Sequence, residues 1–187
     1  MNRFTRACSQ GDLEGAQWYA NAFRLTAVDI RSLNNAVFRK TCSNGRLAVA
    51  QWLVDEYKLT TMDARANNNN ALRWACSNGH IAVATWLVNT FGLTKADARA
   101  SDNHALRSAC KHGHHVVVQW LVERFGLTIH DVSTIDRCAI RKAYRHGHVG
   151  IAQWLVDRFD LTAEETAPYP DLHPSMGPLI KSATKMN

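Results

Sequence analysis

Apolar residues between positions 71 and 91 recur at helical spacing in two short segments separated by a polar turn. The first segment covers residues 71–76 and the second runs from residue 80 to residue 91. Five apolar residues of the second segment share one helical face: Val83, Ala84, Leu87, Val88 and Phe91. Gly79, in the turn, can adopt the left-handed conformation that ends a helix. The pattern therefore predicts an antiparallel pair of helices.

The segments flanking this hairpin carry capping signals. Asn68 and Asn69 stand where side chains cap the first turn of a helix. After the hairpin, Thr94 and Asp97 have the spacing of a capping box, and helix-forming Ala and Arg follow them. The same pairing recurs along the chain at Thr26/Asp29, Thr60/Asp63, Thr128/Asp131 and Thr162/Glu165. We expect a short third helix in each connector and no β-hairpin.

These landmarks repeat every 34 residues. Tryptophan and glycine recur at this interval as Trp18, Trp52, Trp86, Trp120 and Trp154, and as Gly11, Gly45, Gly79, Gly113 and Gly147. The sequence predicts an all-α solenoid of five repeats, approximately 1–33, 34–67, 68–101, 102–135 and 136–166. Because one hairpin cannot bury its apolar face alone, neighbouring repeats must stack, with each Trp against adjacent repeats.

All four prolines follow the last repeat, at Pro168, Pro170, Pro174 and Pro178. Proline does not continue a helix, so residues 167–187 are interpreted as a separate tail. Part of this tail is expected to cap repeat five through its apolar residues: Tyr169, Leu172, Met176, Leu179 and Ile180. A disordered tail or a short partner-binding motif is the alternative.

The sequence pattern of the repeat resembles the ankyrin repeat; over residues 71–88 it is ALRxAC-x-x-GH-x-x-V-x-x-WLV. It looks like the divergent ankyrin repeats of amoebae and of the giant viruses that infect them. The tetratricopeptide repeat has the same period, but its Trp lies in the first helix. The ankyrin resemblance implies recognition of another protein by a concave surface of first helices. The usual Thr-Pro-Leu-His opening and Gly-Ala-Asp connector are replaced here, which puts the β-hairpin fingers in doubt.

Composition and charge narrow the class of partner. The chain has 46% apolar and 20% charged residues and a formal net charge of +6, which favours anionic partners. Its apolar runs are too short for a membrane span, and its N-terminal stretch does not resemble a secretory signal. We therefore expect the protein in the cytoplasm or the nucleus, or in the host cytoplasm if the chain is viral. The recurring Cys8, Cys42, Cys76 and Cys110 are interpreted as free thiols.

Trp74 is the one tryptophan outside the repeating series, and its equivalents are polar: Arg6, Lys40, Ser108 and Lys142. It is therefore a candidate exposed anchor for a partner. A column of equivalent arginines lies on the same helices: Arg39, Arg73, Arg107 and Arg141. These arginines either contact a partner or pair with Asp63, Asp97 and Asp131, which is the interpretation we favour. The variable Lys40, Lys111, Lys142 and Arg145 are better candidates for partner contact, and Ser108 is also predicted to contact the partner.

No motif for catalysis, a cofactor or a metal is evident. The histidines of the 112–115 and 146–148 segments lie on predicted hairpin turns. Those that follow a glycine match the Gly-His pair that is common in ankyrin repeats, which the sequence resembles. We therefore predict a monomeric, non-enzymatic module that binds a protein, with an acidic stretch as the expected ligand. Nucleic-acid binding through the same basic face is the alternative, and a host-directed effector adaptor ranks last.

Overall fold

Helical hairpins joined by short connector helices form the described part of the chain. The computed structural model describes residues 2–133 and 139–161, in which thirteen helices and no β-strand are present. Three connectors form a separate short helix, at Thr61–Ala64, Lys95–Ala98 and Ile129–Ser133. The predicted third helix is therefore confirmed, as is the all-α class.

The helices fall into three sets. The first helix of each hairpin is α1 (Asn2–Gln10), the C-terminal part of α3 (Ala27–Ser43), α6 (Ala66–Ser77), α9 (Ala100–His112) or α12 (Ala139–Arg145). The second helix is α2 (Leu13–Ala22), α4 (Leu47–Tyr57), α7 (Ile81–Phe91), α10 (His115–Phe125) or α13 (Val149–Phe159). The connector helices are the first turn of α3, then α5 (Thr61–Ala64), α8 (Lys95–Ala98) and α11 (Ile129–Ser133).

The chain divides into two compact units, residues 1–105 and residues 106–187. In the first unit, α3 packs between α1 and α6, and α4 packs against α2. In the second unit, α12 and α13 form a hairpin, and α13 packs against α10. Each unit is thus built by stacking one hairpin on the next. The predicted tail cap lies outside the described residues.

Small and branched apolar side chains fill the interior at the predicted positions. All five apolar residues assigned to the buried face of α7 are at most 7% exposed. The repeated cysteines of the first helices are also buried, with free thiols: Cys8, Cys42, Cys76 and Cys110. Burial raises the pKa of the Cys8 thiol to about 12. These thiols therefore act as small core side chains, and Cys138 lies outside the described residues.

Two of the repeating tryptophans, Trp52 and Trp86, pack against a phenylalanine of the preceding repeat. Trp52 meets the edge of Phe4 at a centroid distance of 6.4 Å, and Trp86 meets Phe38 at the same distance. Each of these phenylalanines belongs to the first helix of the repeat before. Trp18 has no described hairpin on its outer side and is 63% exposed. The expected contact between repeats is therefore present at Trp52 and Trp86, where it joins an indole to a phenyl ring, and Trp154 instead meets the ring of His115 at 6.1 Å.

The capping boxes form as predicted. In the third connector, the backbone N–H of Thr94 donates to Asp97 Oδ2 at 2.8 Å, and the Thr94 hydroxyl donates to the same oxygen at 3.0 Å. Complete boxes also occur at Thr26 and Thr60. Thr128 makes the equivalent bonds to Asp131, at 2.8 and 3.1 Å. The Thr162/Glu165 pair lies outside the described residues.

The asparagines before α6 have a different role from the predicted one. Asn67, Asn68 and Asn69 have φ values of 54°, 55° and 57°, so three consecutive residues are left-handed. Asn68 and Asn69 therefore form a turn and do not cap the helix through their side chains. The turn recurs at residues 33–35 and 101–103. Asparagine and aspartate tolerate this conformation better than other non-glycine residues, which explains the local composition.

In two hairpin turns, the glycine makes room for a histidine from the next repeat. A Cβ on Gly45 would lie 2.6 Å from Nδ1 of His80, and one on Gly113 would lie 2.5 Å from the ring of His148. Nε2 of His148 lies 3.1 Å from the carbonyl oxygen of Lys111, where a protonated ring nitrogen donates. In both places, the histidine of one hairpin thus packs on the turn glycine of the hairpin before it.

The left-handed turn can be tested at Asn67, whose side chain is exposed. We expect Asn67→Gly to be nearly neutral, because glycine accepts positive φ without a Cβ clash. Asn67→Val should lower the free energy of unfolding by about 1–2 kcal/mol, because a β-branched residue is strained there. Urea unfolding measures both variants, and equal stability of the two would contradict the assigned backbone.

The stacking of histidine on glycine can be tested with a matched pair of alanine substitutions. Gly147→Ala should cost about 1 kcal/mol for its positive φ alone, since no described atom lies within 4 Å of a Cβ there. Gly45→Ala carries a similar φ and also displaces His80, so we expect a further loss of about 1–3 kcal/mol. Thermal or urea unfolding of both variants reports the difference, and equal losses would argue against the contact.

Candidate functional site

Trp74 stands on the outward face of α6. Its neighbours in sequence, Ala71, Leu72 and Ala75, are fully buried, whereas the Trp74 side chain is 40% exposed. The indole lies 5.8 Å from the ring of His104, which limits its freedom on one side. The structure therefore places Trp74 on the surface, as predicted, and its role as an anchor stays a prediction.

A pocket of about 310 Å³ lies beside this indole. Helix α3 contributes four lining residues and α6 contributes two: Ala36, Arg39, Lys40, Ser43, Asn70 and Trp74. Two of these six side chains are cationic and none is acidic. The pocket thus combines an aromatic surface with positive charge, and it brings together two of the predicted contact residues, Trp74 and Lys40.

The arginine column does not pair with the connector aspartates in the first unit, contrary to the favoured prediction. Arg73 donates from Nε to the carbonyl oxygen of Asn68 at 2.7 Å and from Nη2 to that of Asn67 at 3.1 Å. Arg39 makes the same two bonds to Asn34 and Leu33, at 2.6 and 3.1 Å. The left-handed turn points its carbonyl groups at these guanidinium groups, which explains why the arginine repeats.

The aspartates are paired with a second series of arginines that sequence reasoning missed. Arg31 Nε lies 3.0 Å from Asp63 Oδ1, and Arg65 Nε lies 2.8 Å from Asp97 Oδ1. Each bond joins the connector of one repeat to the connector of the next. The signal was present as the recurrent Asp-x-Arg of residues 29–31, 63–65 and 97–99. From the sequence alone, the arginine of this pattern is explained only by its helix propensity.

The remaining predicted contact residues lie in the second unit. Lys111 and Arg145 are exposed, whereas Arg107, Ser108, Arg141 and Lys142 are half-buried. The pKa of Lys142 is lowered mainly by burial. It is lowered further by the positive charges of four of these residues: Lys111, Arg107, Arg141 and Arg145. All the charges that shift the pKa of Lys142 are therefore cationic. Ser108 does not contribute to this effect.

Metal ligation and membrane insertion find no support in the part of the chain that the structure describes. Residues 2–133 and 139–161 contain no group of three or more His, Cys, Asp or Glu side chains arranged to hold a metal ion. None of the helices within these ranges combines the length and the apolar character that crossing a membrane requires.

Comparisons with known proteins identify the fold family. The family model described as ankyrin repeats (3 copies) matches residues 4–102, more than half of the chain. The chain belongs to the ankyrin-repeat family. Ankyrin repeats are generally protein–protein interaction modules without enzymatic activity, and their fold is a helical solenoid. No curated protein matches the sequence.

Two solved ankyrin structures are similar in fold. The human ASB11 ankyrin repeat domain has a TM-score of 0.57 and 18% identity, with 83% of this chain and 68% of that one covered. An ankyrin repeat family protein from Legionella pneumophila has a TM-score of 0.56 and 23% identity. That match covers 88% of this chain and 51% of the Legionella chain, so the present chain spans about half of that relative's length.

The ankyrin connectors are held together by carboxylates that stay ionised. Burial opposes ionisation of Asp97, but hydrogen bonds from Arg65 and from the Thr94 backbone and hydroxyl outweigh it and lower its pKa. Asp63 follows the same pattern, with Arg31, Thr60 and Asn35 as donors. Because these pKa values are depressed, the stability they provide is present above the unfolded pKa and is lost as pH falls through the folded pKa.

Asp97→Asn tests this charge at nearly constant shape. We expect a loss of about 1–3 kcal/mol in unfolding free energy at neutral pH, a modest value because Arg65 is 45% exposed. The difference from wild type should shrink as pH falls below about 4, where the aspartate of the unfolded chain is protonated. Urea unfolding across the pH range measures it, with Asp55→Asn, an exposed carboxylate of α4, as the matched control.

Proposed function

We propose that this ankyrin-repeat chain binds an acidic segment of another protein across its first helices, with Trp74 as the apolar anchor. The exposed Trp74 beside the cationic pocket is the observation that carries the proposal. A solvent-exposed tryptophan next to an open pocket is the kind of residue that dominates interface energies. The remaining first-helix equivalents of Trp74 are polar, so this anchor is specific to one repeat.

The charge of the pocket selects an acidic ligand. Lys40 is exposed at its edge, and the hydrogen bonds of Arg39 to the turn fix that guanidinium in place. Burial first, and then the charge of Arg39, lower the pKa of Arg73, so the two arginines repel each other across neighbouring repeats. A carboxylate placed between them relieves this repulsion. An acidic side chain next to an apolar one therefore fits the pocket.

A phage-displayed random peptide library panned on the full chain tests the proposal. Selected peptides should be enriched in Asp and Glu flanking an apolar residue. Trp74→Ala should weaken their binding by about 2 kcal/mol or more, roughly thirtyfold, as loss of an interface anchor does. Lys40→Glu should weaken it further for the most acidic peptides, because it reverses one charge of the pocket.

Trp18→Ala provides the matched control, because Trp18 is also an exposed tryptophan but belongs to α2. Binding of the selected peptides should be unchanged in this variant. Peptides that lose binding equally with Trp18→Ala and Trp74→Ala, or that show no excess of acidic residues, would rule out the proposed surface.

Nucleic-acid binding, the alternative from the basic composition, makes a distinct prediction. Its affinity falls steeply and linearly with salt on logarithmic axes, because phosphate contacts release counterions. Single-strand binders also stack bases on several aromatic side chains. Trp74 is the one exposed Trp, Tyr or Phe on the described first helices, since Phe4, Phe38 and Tyr144 are buried. A protein ligand is therefore the better supported of the two.

A further inference from the structure

Five cationic residues of the second unit, here called the Lys142 cluster, comprise the half-buried Lys142 and four cations around it. Arg107 and Lys111 are four residues apart on α9, so they share a helical face, as do Arg141 and Arg145 on α12. Lys142 lies within electrostatic reach of all four of these cations. The cluster is thus a compact concentration of positive charge supplied by two neighbouring first helices.

Histidine contacts to backbone carbonyl groups position two lysines of the cluster. Nε2 of His148 lies 3.1 Å from the carbonyl oxygen of Lys111, which ties α9 to the turn before α13. Nδ1 of His146 lies 2.9 Å from the carbonyl oxygen of Lys142. The backbone beneath the lysines is therefore fixed, and their charges are brought together by the fold.

Three residues of the Lys142 cluster are equivalent to residues that line the Trp74 pocket two repeats earlier. Arg39 corresponds to Arg107, Ser43 to Lys111, and Trp74 to Lys142. The hydroxyl and the indole of the pocket are thus each replaced by an ammonium group. The repeat position that carries an aromatic side chain in the first unit thus carries a cation in the second, although Lys40 of the pocket corresponds to the uncharged Ser108. The ligand of the Lys142 cluster should accordingly carry more negative charge and no apolar group.

We propose that the Lys142 cluster binds a phosphorylated serine or threonine of the protein ligand. This inference rests on the proposed protein-binding function and deepens it. A phosphoryl group carries a charge of about −1.5 to −2 and three acceptor oxygens, whereas a carboxylate carries a single charge. Arg145 and the two lysines, Lys111 and Lys142, supply the donors that a phosphoryl group requires.

The dimensions of the cluster favour a single phosphoryl group over a nucleic-acid strand. Packed helices lie about 8–10 Å apart, so two of them span one or two phosphates. The aromatic residue of α12, Tyr144, is 1% exposed and provides no surface on which a base could stack. The cluster therefore combines a high charge with a small area, as a phosphorylated side chain requires.

Fluorescence anisotropy with three labelled peptides tests the proposal on the full chain. The peptides share one Gly/Glu sequence and differ at one central residue, which is serine, glutamate or phosphoserine. We expect the phosphoserine peptide to bind about tenfold more tightly than the serine peptide, with the glutamate peptide between them. Amide shifts in NMR spectra of the labelled protein should centre on Lys111, Lys142 and Arg145.

Two charge-reversal variants with equal changes in net charge identify the site. Lys142→Glu/Arg145→Glu should abolish the preference for phosphoserine. Arg124→Glu/Arg158→Glu should preserve it, because these exposed arginines lie over the rings of Phe125 and Phe159 on the second helices. Dispersed amide spectra verify that each variant is folded. A preference that survives Lys142→Glu/Arg145→Glu would overturn the assignment.

Three further outcomes separate this inference from its alternatives. Equal binding of the serine and phosphoserine peptides overturns it, while Trp74-dependent binding of the selected acidic peptides would still stand. A short poly-dT strand that binds more tightly than the phosphopeptide, and loses binding with Lys142→Glu/Arg145→Glu, overturns it in favour of nucleic acid. If inorganic phosphate displaces the phosphopeptide only weakly, the result supports recognition of the phosphoryl group together with the surrounding peptide.

Discussion

In the first unit, the pairing of a connector aspartate with an arginine of the preceding repeat couples the local helices to the stacking of the repeats. Asp63 and Asp97 each close a capping box within their own connector and accept a guanidinium from the connector before. One carboxylate thus fixes both the start of a local helix and the distance to the neighbouring repeat. Because the same side chain does both, repeat geometry and repeat stacking cannot vary independently.

This rigid frame leaves the outward positions of the first helices free to differ. The side chains equivalent to Trp74 include a lysine, an arginine and a serine, although the buried alanine and cysteine beside them hardly change. The frame therefore specifies where side chains are displayed, and each repeat specifies their chemistry. An aromatic residue in the first unit and a lysine in the second illustrate how one backbone position presents different side chains.

The sequence was sufficient for the hairpins, the connector helices and the exposure of Trp74, because each follows from local periodicity or capping chemistry. It was insufficient where two residue types compete for one partner. Arg39 and Arg73 were assigned to the aspartates, but the carbonyl groups of the left-handed turns bind them, and that backbone has no hydrophobic period. Asn68 and Asn69 were likewise assigned to caps, since asparagine favours both settings. The choice between them depends on contacts that arise only when repeats stack.

Replacing β-hairpin fingers with left-handed turns also changes how this edge of the molecule can be approached. In the described part of the chain, residues 33–35, 67–69 and 101–103 have left-handed backbones, and none of them forms a strand. An extended peptide therefore finds no unpaired strand to join by main-chain hydrogen bonds. Recognition at this edge has to rely on side chains, which makes it selective and removes a common route to aggregation by strand addition.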